Sequence, residues 1–374
     1  MRLVPIHCIR PGNKLARTVY DKNGRILLQQ NVILTQNLLE RVATNGFNSL
    51  YINDQYSEDE IEDVIKPELR QKTIQAVKES FDNFRSYYFR SKDTSVPLKQ
   101  RIELKAKNKY MVTMNKITQE IVDELLTKKN LLINLVDIKS LDTYTYQHSV
   151  NVAILSLVLG IELSLEHHQL YELCTGALMH DIGKAFIEQD VLFKKKPLTQ
   201  EEFSHLKEHP FKGYEYLKDL RDIKAASKRI ILEHHEKVDG TGYPKGLTEK
   251  QIHPFSKIVA LADAYDTLTS DQPYRKALPP NEAIEFLMGS ASRYFDTEMT
   301  TVFVRKIVVY PIGTIVKLSD ATIGIVKETN PQLSLRPKIQ KIENGKKAGI
   351  IDLATETNVV IKGVQYDVPQ AQSK

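Results

Sequence analysis

Five of the ten histidines in this 374-residue chain stand in or beside apolar, helix-like segments that also carry carboxylates. A single histidine or aspartate in such a helix is usually a core or capping residue. Here imidazoles and carboxylates recur at the inward-facing ends of several predicted helices, where burial without a partner costs several kcal/mol each. A shared cation removes that cost, so the pattern predicts a metal centre formed by His148, His180, Asp181, His209, His234, His235 and Asp263.

The mixture of donors favours two metal ions over one. Five imidazoles and two carboxylates exceed the four ligands of a tetrahedral zinc site, and a carboxylate such as Asp181 can bridge two ions. Imidazole and oxygen donors without thiolate suit iron or manganese, which we expect here, and leave zinc, nickel and magnesium open. The two cysteines, Cys8 and Cys174, lie far apart, so neither a cysteine-based zinc site nor a disulfide framework is indicated.

Two further segments could contact a substrate. In "HHEKVDGTGYPKGLTEKQI", three glycines and a proline closely follow the paired histidines, which predicts either an ordinary turn or a tight loop that places Tyr243 beside the metals. The segment "LTSDQPYRKAL", which ends the Asp263 helix, carries Tyr274, Arg275 and Lys276. A charge run of this kind is often only solvated surface, but a cationic and aromatic cluster near Asp263 is suited to a phosphate and a base.

These motifs resemble those of the HD-GYP family, the branch of the HD-domain phosphohydrolases that hydrolyses cyclic di-GMP. The segments "HDIGK", "HHEKVDGTGYPKGL", "ADAYDTLTSDQPYRKAL" and "YFD" match the family's pattern in order and spacing, over roughly residues 125 to 305. The resemblance implies that the seven residues above are the metal ligands and that Asp181 and Lys184 are catalytic. It also implies substrate contacts from Lys184, Tyr243, Gln272 and Arg275.

The chain departs from the family's pattern at two positions. Some members hold a third metal through a glutamate one helical turn before the first histidine, where this chain has Tyr144, so we expect a two-metal centre. Members commonly have arginine between the Asp and Pro of the "DRPYR" stretch, where this chain has Gln272. Glutamine can form hydrogen bonds but cannot neutralise a phosphate, so the affinity or preference for the ligand is expected to differ.

The resemblance implies a metal-dependent phosphodiesterase that opens cyclic di-GMP to pGpG by in-line attack of a metal-bridging hydroxide. Whether a second cleavage to GMP follows is left open. One alternative is a cyclic di-GMP sensor or adaptor that binds without useful turnover. Another is a hydrolase of a different cyclic dinucleotide or of a nucleoside phosphate. A purely structural metal site is disfavoured, because a helical domain of this length does not need a metal to fold.

The sequence predicts a multidomain chain, with a central all-α HD-type domain between a small N-terminal β/α module and a small C-terminal β-rich appendage. In the N-terminal module, "DKNG" stands between two β-prone runs as a hairpin signal, and Thr35 is placed to cap a short helix. Toward the end, alternating β-branched residues predict strands. The predicted domains are residues 1–55 (module), 56–115 (charged helical connector), 116–305 (HD-GYP domain) and 306–374 (appendage).

The charged connector carries apolar residues at helical intervals: Ile74, Val77, Phe81 and Phe84. Two hypotheses account for this stripe. It belongs either to an amphipathic helix that lies on its own chain or to a coiled stalk that forms a homodimer.

Composition limits the remaining function classes. A formal net charge of +5 is too small, over this length, to indicate a groove for a nucleic-acid polymer. The N-terminus lacks the continuous apolar core of a signal peptide, and no run approaches the roughly 18 apolar residues of a membrane helix. We therefore expect a soluble cytoplasmic protein without a membrane span. The family resemblance implies cyclic di-GMP as its ligand, and we expect signalling proteins as further partners.

Overall fold

The structure, a computed structural model, describes residues 1–21, 24–57, 61, 63–90, 96–128, 131–133, 144–192, 194, 196–272 and 275–366. The chain divides into two compact units. The first combines Met1–Asp63, Leu132–Thr143 and Val304–Lys374, and the second combines Val64–Leu131 and Tyr144–Phe303.

The N-terminal part of the first unit is a small β/α module. An antiparallel sheet has the order β1-β5-β2, and β3 and β4 form a separate hairpin at the predicted "DKNG" turn. Thr35 caps the single helix α1, because its hydroxyl oxygen accepts a hydrogen bond from the backbone N–H of Leu38 (3.3 Å). The elements are β1 Arg2–Pro5, β2 Lys14–Leu15, β3 Val19–Tyr20, β4 Ile26–Leu28, α1 Gln36–Thr44 and β5 Ser49–Asn53.

The C-terminal part of the first unit is an antiparallel five-stranded sheet with the order β10-β6-β7-β8-β9. Its strands are β6 Ile315–Leu318, β7 Ile323–Glu328, β8 Lys338–Glu343, β9 Lys346–Asp352 and β10 Ile361–Val364. The two ends of the chain meet within this unit, since the guanidinium of Arg2 donates a hydrogen bond to the carbonyl of Tyr366 (3.1 Å). The sequence pattern does not reveal this pairing, because it depends on contacts between distant segments.

The second unit is helical and centres on one apolar helix. Every residue of α4 from Gln147 to Gly160 is buried, and the helix packs against α5 and α10. The helices are α2 Pro67–Arg90, α3 Val96–Leu126, α4 Tyr144–Glu162, α5 His167–Met179, α6 Gln189–Leu192, α7 Gln200–Leu206, α8 His209–Leu217, α9 Ala225–Glu233, α10 Pro254–Leu268, α11 Pro280–Ser290 and α12 Thr297–Lys306. The last three residues of α12 belong to the first unit.

The apolar stripe of the charged connector lies inside this helical unit. Ile74, Val77, Phe81 and Phe84 are all buried, and their helix α2 packs against α3 and α4. The structure therefore favours the hypothesis of an amphipathic helix on its own chain, because this stripe is already covered there.

The predicted fold class is confirmed at the level of a mostly helical central part with strand-containing N-terminal and C-terminal parts. The domain boundaries drawn from the sequence stay a prediction. In the part of the chain that the structure describes, no helix combines the length and the apolar content needed to cross a membrane.

Candidate metal centre

The His-Asp pair of "HDIGK" stands where an apolar helix ends. Helix α5 stops at Met179, His180 is its C-cap, and Asp181 leads into a 3-10 turn over Ile182–Phe186. Gly183 allows this turn to lie directly against the start of α8. A Cβ atom on Gly183 would stand 1.8 Å from the carbonyl oxygen of His209, so only glycine fits without moving one backbone. The turn thus brings His209 close to Asp181.

The seven residues predicted as metal ligands come together in two groups. Asp181, His209, His234 and His235 form one group, and His148, His180 and Asp263 form the other. Within each group, one ligand atom per residue lies within 4.8 Å of all the others. Helices α4, α5, α8, α9 and α10 each supply side chains at or near a point where they approach one another.

Asp181 stands between the two groups. Its Oδ1 lies 3.2 Å from His209 Nε2 and 3.9 Å from His234 Nε2. Its Oδ2 lies 3.4 Å from His180 Nε2 and 3.7 Å from His148 Nε2. One carboxylate therefore presents one oxygen to each group, which is the arrangement of a bridging ligand.

Backbone hydrogen bonds fix the tautomer of three histidines. Each donates from Nδ1 to a carbonyl oxygen three residues earlier: His180 to Ala177 (2.7 Å), His209 to Leu206 (2.8 Å) and His234 to Ile231 (3.0 Å). A carbonyl oxygen can only accept, so Nδ1 carries the proton and Nε2 presents a lone pair to the cluster.

His148 is oriented by a carboxylate instead. Its Nδ1 donates to Oδ2 of Asp266 at 2.8 Å, which directs Nε2 toward Asp263 Oδ1 (3.1 Å). Asp266 is completely buried. Asp266 is not among the residues predicted above, although its position three residues after Asp263 on α10 places both carboxylates on one face of the helix and could have indicated it.

Burial and neighbouring charge set the protonation of the first group. Burial is the largest influence on His209, His234 and His235 and lowers all three pKa values, that of His235 to about 3. Burial alone would raise the pKa of Asp181, but the Lys184 ammonium and His180 hold it well below its usual range. The group therefore combines neutral imidazoles with an ionised carboxylate.

The second group differs at His148. Burial lowers its pKa, but the hydrogen bonds to Asp263 and Asp266 outweigh burial and raise the pKa to about 9. Burial likewise would raise the pKa of Asp263, yet His148 lowers it below its usual range. The carboxylates thus attract positive charge to this position, whether a proton or a metal ion.

The donor atoms fit a divalent cation. His209 Nε2 lies 3.2 Å from His234 Nε2 and also 3.2 Å from Asp181 Oδ1, although none of these three atoms carries a proton in the tautomers above. Lone pairs that face one another in a buried site repel. Among the described residues, His180 Nε2 and Asp181 Oδ1 are buried atoms without a hydrogen-bond partner. A cation among them would satisfy these lone pairs.

The glycine-rich loop lies directly on this cluster. A Cβ atom on Gly242 would stand 2.6 Å from the carbonyl oxygen of His235, so the loop backbone packs tightly there. The next residue, Tyr243, stacks on the imidazole of His235 with ring centroids 4.7 Å apart and an interplanar angle of 27°. The structure thus places Tyr243 beside a candidate ligand, which favours the tight-loop alternative over an ordinary turn.

A cavity of about 570 Å³ lies beside Tyr243 and Pro244 of the loop. Its lining residues are Ser204, Lys207, Glu208, Phe211, Lys212, Tyr243 and Pro244. Lys207 Nζ lies 5.1 Å from the centre of the Tyr243 ring, within the range of a cation–π contact. The cavity therefore contains aromatic faces and charged groups, and only the Tyr243 ring separates it from His235 of the cluster.

The other predicted contact residues have different surroundings. Lys184 Nζ lies 2.6 Å from Asp181 Oδ2, and its side chain is 23% exposed. The guanidinium of Arg275 donates to the carbonyl of Thr267 near the end of α10 (2.7 Å). Tyr274 lies outside the described residues.

The two positions that depart from the family's pattern contact each other. The side-chain amide of Gln272 donates to the hydroxyl of Tyr144 at 2.5 Å. The Tyr144 ring stacks on His148, with ring centroids 5.4 Å apart and an interplanar angle of 19°. Tyr144 and Gln272 therefore form a neutral pair beside His148. Neither residue has a carboxylate that could bind a third metal ion.

Comparison with known proteins agrees with this site. The family description "HD domain" matches residues 127–299. A cyclic di-GMP phosphodiesterase of Pseudomonas aeruginosa is 37% identical over 224 residues, which cover 60% of this chain and 54% of that protein. A cyclic di-GMP phosphodiesterase of Borreliella burgdorferi is 36% identical over 219 residues, which cover 58% of this chain and 56% of that protein.

A third relative has a different named substrate. It is a 3'3'-cGAMP-specific phosphodiesterase of Vibrio cholerae, 32% identical over 189 residues, which cover 49% of this chain and 42% of that protein. The chain spans about half the length of these relatives. The matched residues contain the whole His and Asp cluster. Residues 127–299 of this chain therefore match an HD domain.

Proposed function

We propose that this protein is a metal-dependent phosphodiesterase that hydrolyses cyclic di-GMP to pGpG. The observation that carries the proposal is the position of Asp181, whose two carboxylate oxygens face two separate groups of imidazoles. This is the geometry expected of a carboxylate that bridges two cations. The names of the relatives from Pseudomonas aeruginosa and Borreliella burgdorferi support the choice of substrate.

The proposed centre holds two divalent ions, one in each group, with Asp181 shared. Iron and manganese suit these nitrogen and oxygen donors. When bound, such ions supply an acidified water and polarise the phosphoryl oxygens of the substrate. The hydrogen bonds at Nδ1 keep the imidazole lone pairs directed at the ions, so the chain itself needs little rearrangement to bind them.

Lys184 has two roles in this proposal. Its ammonium lowers the pKa of Asp181 and so keeps the bridging carboxylate ionised. Its partial exposure, beside a carboxylate that is 1% exposed, places the ammonium at the edge of the buried cluster. From there it can contact a phosphoryl oxygen and stabilise the negative charge that builds up as the phosphodiester is cleaved.

The cavity beside Tyr243 is the proposed site of a guanine base. A base can stack on Tyr243 or Phe211, and the charged ends of Lys207 and Glu208 can pair with the acceptor and donor groups on its edge. Because Tyr243 lines this cavity and also stacks on His235, a base stacked on Tyr243 would lie close to the metal centre.

Phe211→Ala is expected to raise KM for cyclic di-GMP about tenfold with little change in kcat, since base stacking contributes about 1–3 kcal/mol. Steady-state kinetics would measure both constants. Phe286→Ala is the matched control, because Phe286 is also an exposed phenylalanine of the helical unit but does not line the cavity. Equal KM values for the two variants would exclude Phe211 from base binding.

Chromatographic product analysis tests the proposed reaction. Iron- or manganese-loaded protein, incubated anaerobically with cyclic di-GMP, is expected to form pGpG, and chelation is expected to abolish the product until metal is restored. Appearance of GMP would show a second cleavage. Demonstrable binding without product in the metallated protein would replace this proposal with the sensor.

A second candidate substrate is 3'3'-cGAMP. The relative from Vibrio cholerae carries that name, and Gln272 lacks the positive charge that an arginine would offer a phosphate. The same assay with both dinucleotides separates the candidates. Faster turnover of 3'3'-cGAMP would change the substrate while leaving the reaction class intact.

The remaining predictions from the sequence stay proposals. They are the domain boundaries after residues 55, 115 and 305, a homodimer through residues 56–115, signalling protein partners and a cytoplasmic location. The burial of the apolar stripe of α2 means that such a homodimer would need a different surface of this region.

A further inference from the structure

A row of buried polar side chains connects α2 to the metal centre. Arg70 Nη1 lies 2.7 Å from Asn151 Oδ1, and Asn151 Nδ2 lies 3.1 Å from Asp266 Oδ1. Asp266 Oδ2 in turn accepts the Nδ1 hydrogen of His148 at 2.8 Å. All four side chains are at least nine-tenths buried, with exposures of 6%, 3%, 0% and 2% in that order.

The chemistry of these groups allows only one direction of donation. A guanidinium can only donate, so the atom of Asn151 that faces Arg70 must be the amide oxygen. The amide nitrogen then faces Asp266, whose carboxylate accepts on one oxygen from Asn151 and on the other from His148. Arg70 thereby excludes the flipped amide, which would point an oxygen at a carboxylate.

We infer that Arg70 and Asn151 are positioning residues that, through Asp266, hold the His148 imidazole in the orientation that binds a metal ion. The inference rests on the proposed metal centre. Arg70 belongs to α2 and lies outside residues 127–299, which match the HD domain. The helix that precedes the domain therefore contributes to its metal site. Removing a group that orients a metal-ligating histidine typically weakens metal binding about 10- to 100-fold.

The direction of the change in metal affinity on removing Arg70 distinguishes a positioning role from a purely electrostatic effect of its charge. Arg70 is a cation, so its removal would by Coulomb's law alone strengthen the binding of another cation nearby. Loss of orientation at His148 has the opposite effect and weakens binding. A weaker site in a protein that has lost a positive charge therefore reports positioning.

The experiment measures Mn²⁺ affinity by the electron paramagnetic resonance signal of free Mn²⁺ in the full-length protein. Asn151→Leu and Arg70→Met are expected to bind Mn²⁺ about 10- to 100-fold more weakly than the wild type. Arg70→Lys, which can still donate to the amide oxygen, is expected to recover part of the loss. Circular dichroism at the same temperature verifies that each variant is folded.

Thr73→Val is the control for general damage to α2. Thr73 lies one turn after Arg70, is completely buried, and donates its hydroxyl to the carbonyl of Leu69 (2.8 Å). It is expected to keep wild-type affinity. Wild-type or tighter binding by Asn151→Leu and Arg70→Met would overturn the inference, as would an equal loss in Thr73→Val.

Mn²⁺ binding and cyclic di-GMP cleavage by the wild type distinguish a failure of this inference from a failure of the proposed function. If the wild type binds Mn²⁺ and cleaves cyclic di-GMP while the variants keep its affinity, only the positioning role fails. If the wild type binds no Mn²⁺, the proposed manganese centre fails, and the positioning role with it. Cleavage of another dinucleotide by a Mn²⁺-binding wild type would change the substrate but leave the affinity comparison valid.

Discussion

Replacing Asp181 by alanine is expected to lower the rate of cyclic di-GMP hydrolysis about a thousandfold or more. In the proposed centre this carboxylate is shared by both ions, so its loss removes a ligand from each group at once. A metal centre supplies several kcal/mol of transition-state stabilisation, and about 4 kcal/mol corresponds to a factor of about a thousand. Asp263 also approaches imidazoles of both groups, with Oδ1 3.1 Å from His148 Nε2 and Oδ2 3.7 Å from His235 Nδ1, but Asp181 approaches two imidazoles with each of its oxygens.

The measurement combines turnover with metal content. The rate of pGpG formation and the number of metal ions bound per chain should both fall in Asp181→Ala. Asp181→Asn keeps the size of the side chain but not its charge, and is expected to behave similarly. Asp222→Ala, at an exposed aspartate of the same unit, should leave both quantities unchanged. Turnover at the parental rate in Asp181→Ala would disprove the bridging role.

Gly183→Ala is expected to destabilise the helical unit by about 3 kcal/mol. The added Cβ would stand 1.8 Å from the His209 carbonyl oxygen and 2.8 Å from the backbone nitrogen of Gly213. Both are backbone atoms, so no side chain can rotate to make room, and α8 must move as a whole. For a unit of this size, the unfolding midpoint should fall by about 6 to 12 °C.

Thermal unfolding in the presence of a chelator measures this effect without a contribution from metal binding. Gly289→Ala is the matched control, because no atom lies within 4 Å of the Cβ position there. Near the end of α11, that change should raise the free energy of unfolding by up to about 1 kcal/mol. If both variants unfold at the same temperature, the close approach of the turn to α8 does not limit stability.

Gly183→Ala should also disturb the metal centre, because His209 is the first residue of α8. A displacement of α8 moves the imidazole away from Asp181 Oδ1. Metal content measured on the folded variant at low temperature would test this consequence separately from stability.

Much of the secondary structure could be predicted from local patterns. The apolar stripe of α2, the cap at Thr35 and the end of α5 at His180 each depend on residues within a few positions of one another. The periodicity of α2 could not say what covers its stripe, since helices that pack on their own chain and helices that form a coiled stalk share the same spacing. Packing against α3 and α4 decided between them.

The candidate site shows the same division. The types of the seven residues and their positions at helix ends indicated a cation, because buried imidazoles and carboxylates are costly without one. Asn151 carried no such signal, and Asp266 was indicated only by its spacing of three residues from Asp263 on α10. An aspartate and an asparagine on apolar helices have many local roles, and their function here depends on partners 81 to 118 positions away in the sequence.

By itself, the sequence determined the chemistry of the donors, the HD-GYP motifs and the helices that carry them, because these follow from residue type and short spacing. Only the tertiary structure decided which oxygen of Asp181 faces which group, which nitrogen of His180, His209 and His234 is protonated, and that Tyr144 lies against Gln272. Those features arise from contacts between segments far apart in the chain. Their energies depend on distances and directions that appear only when the helices pack.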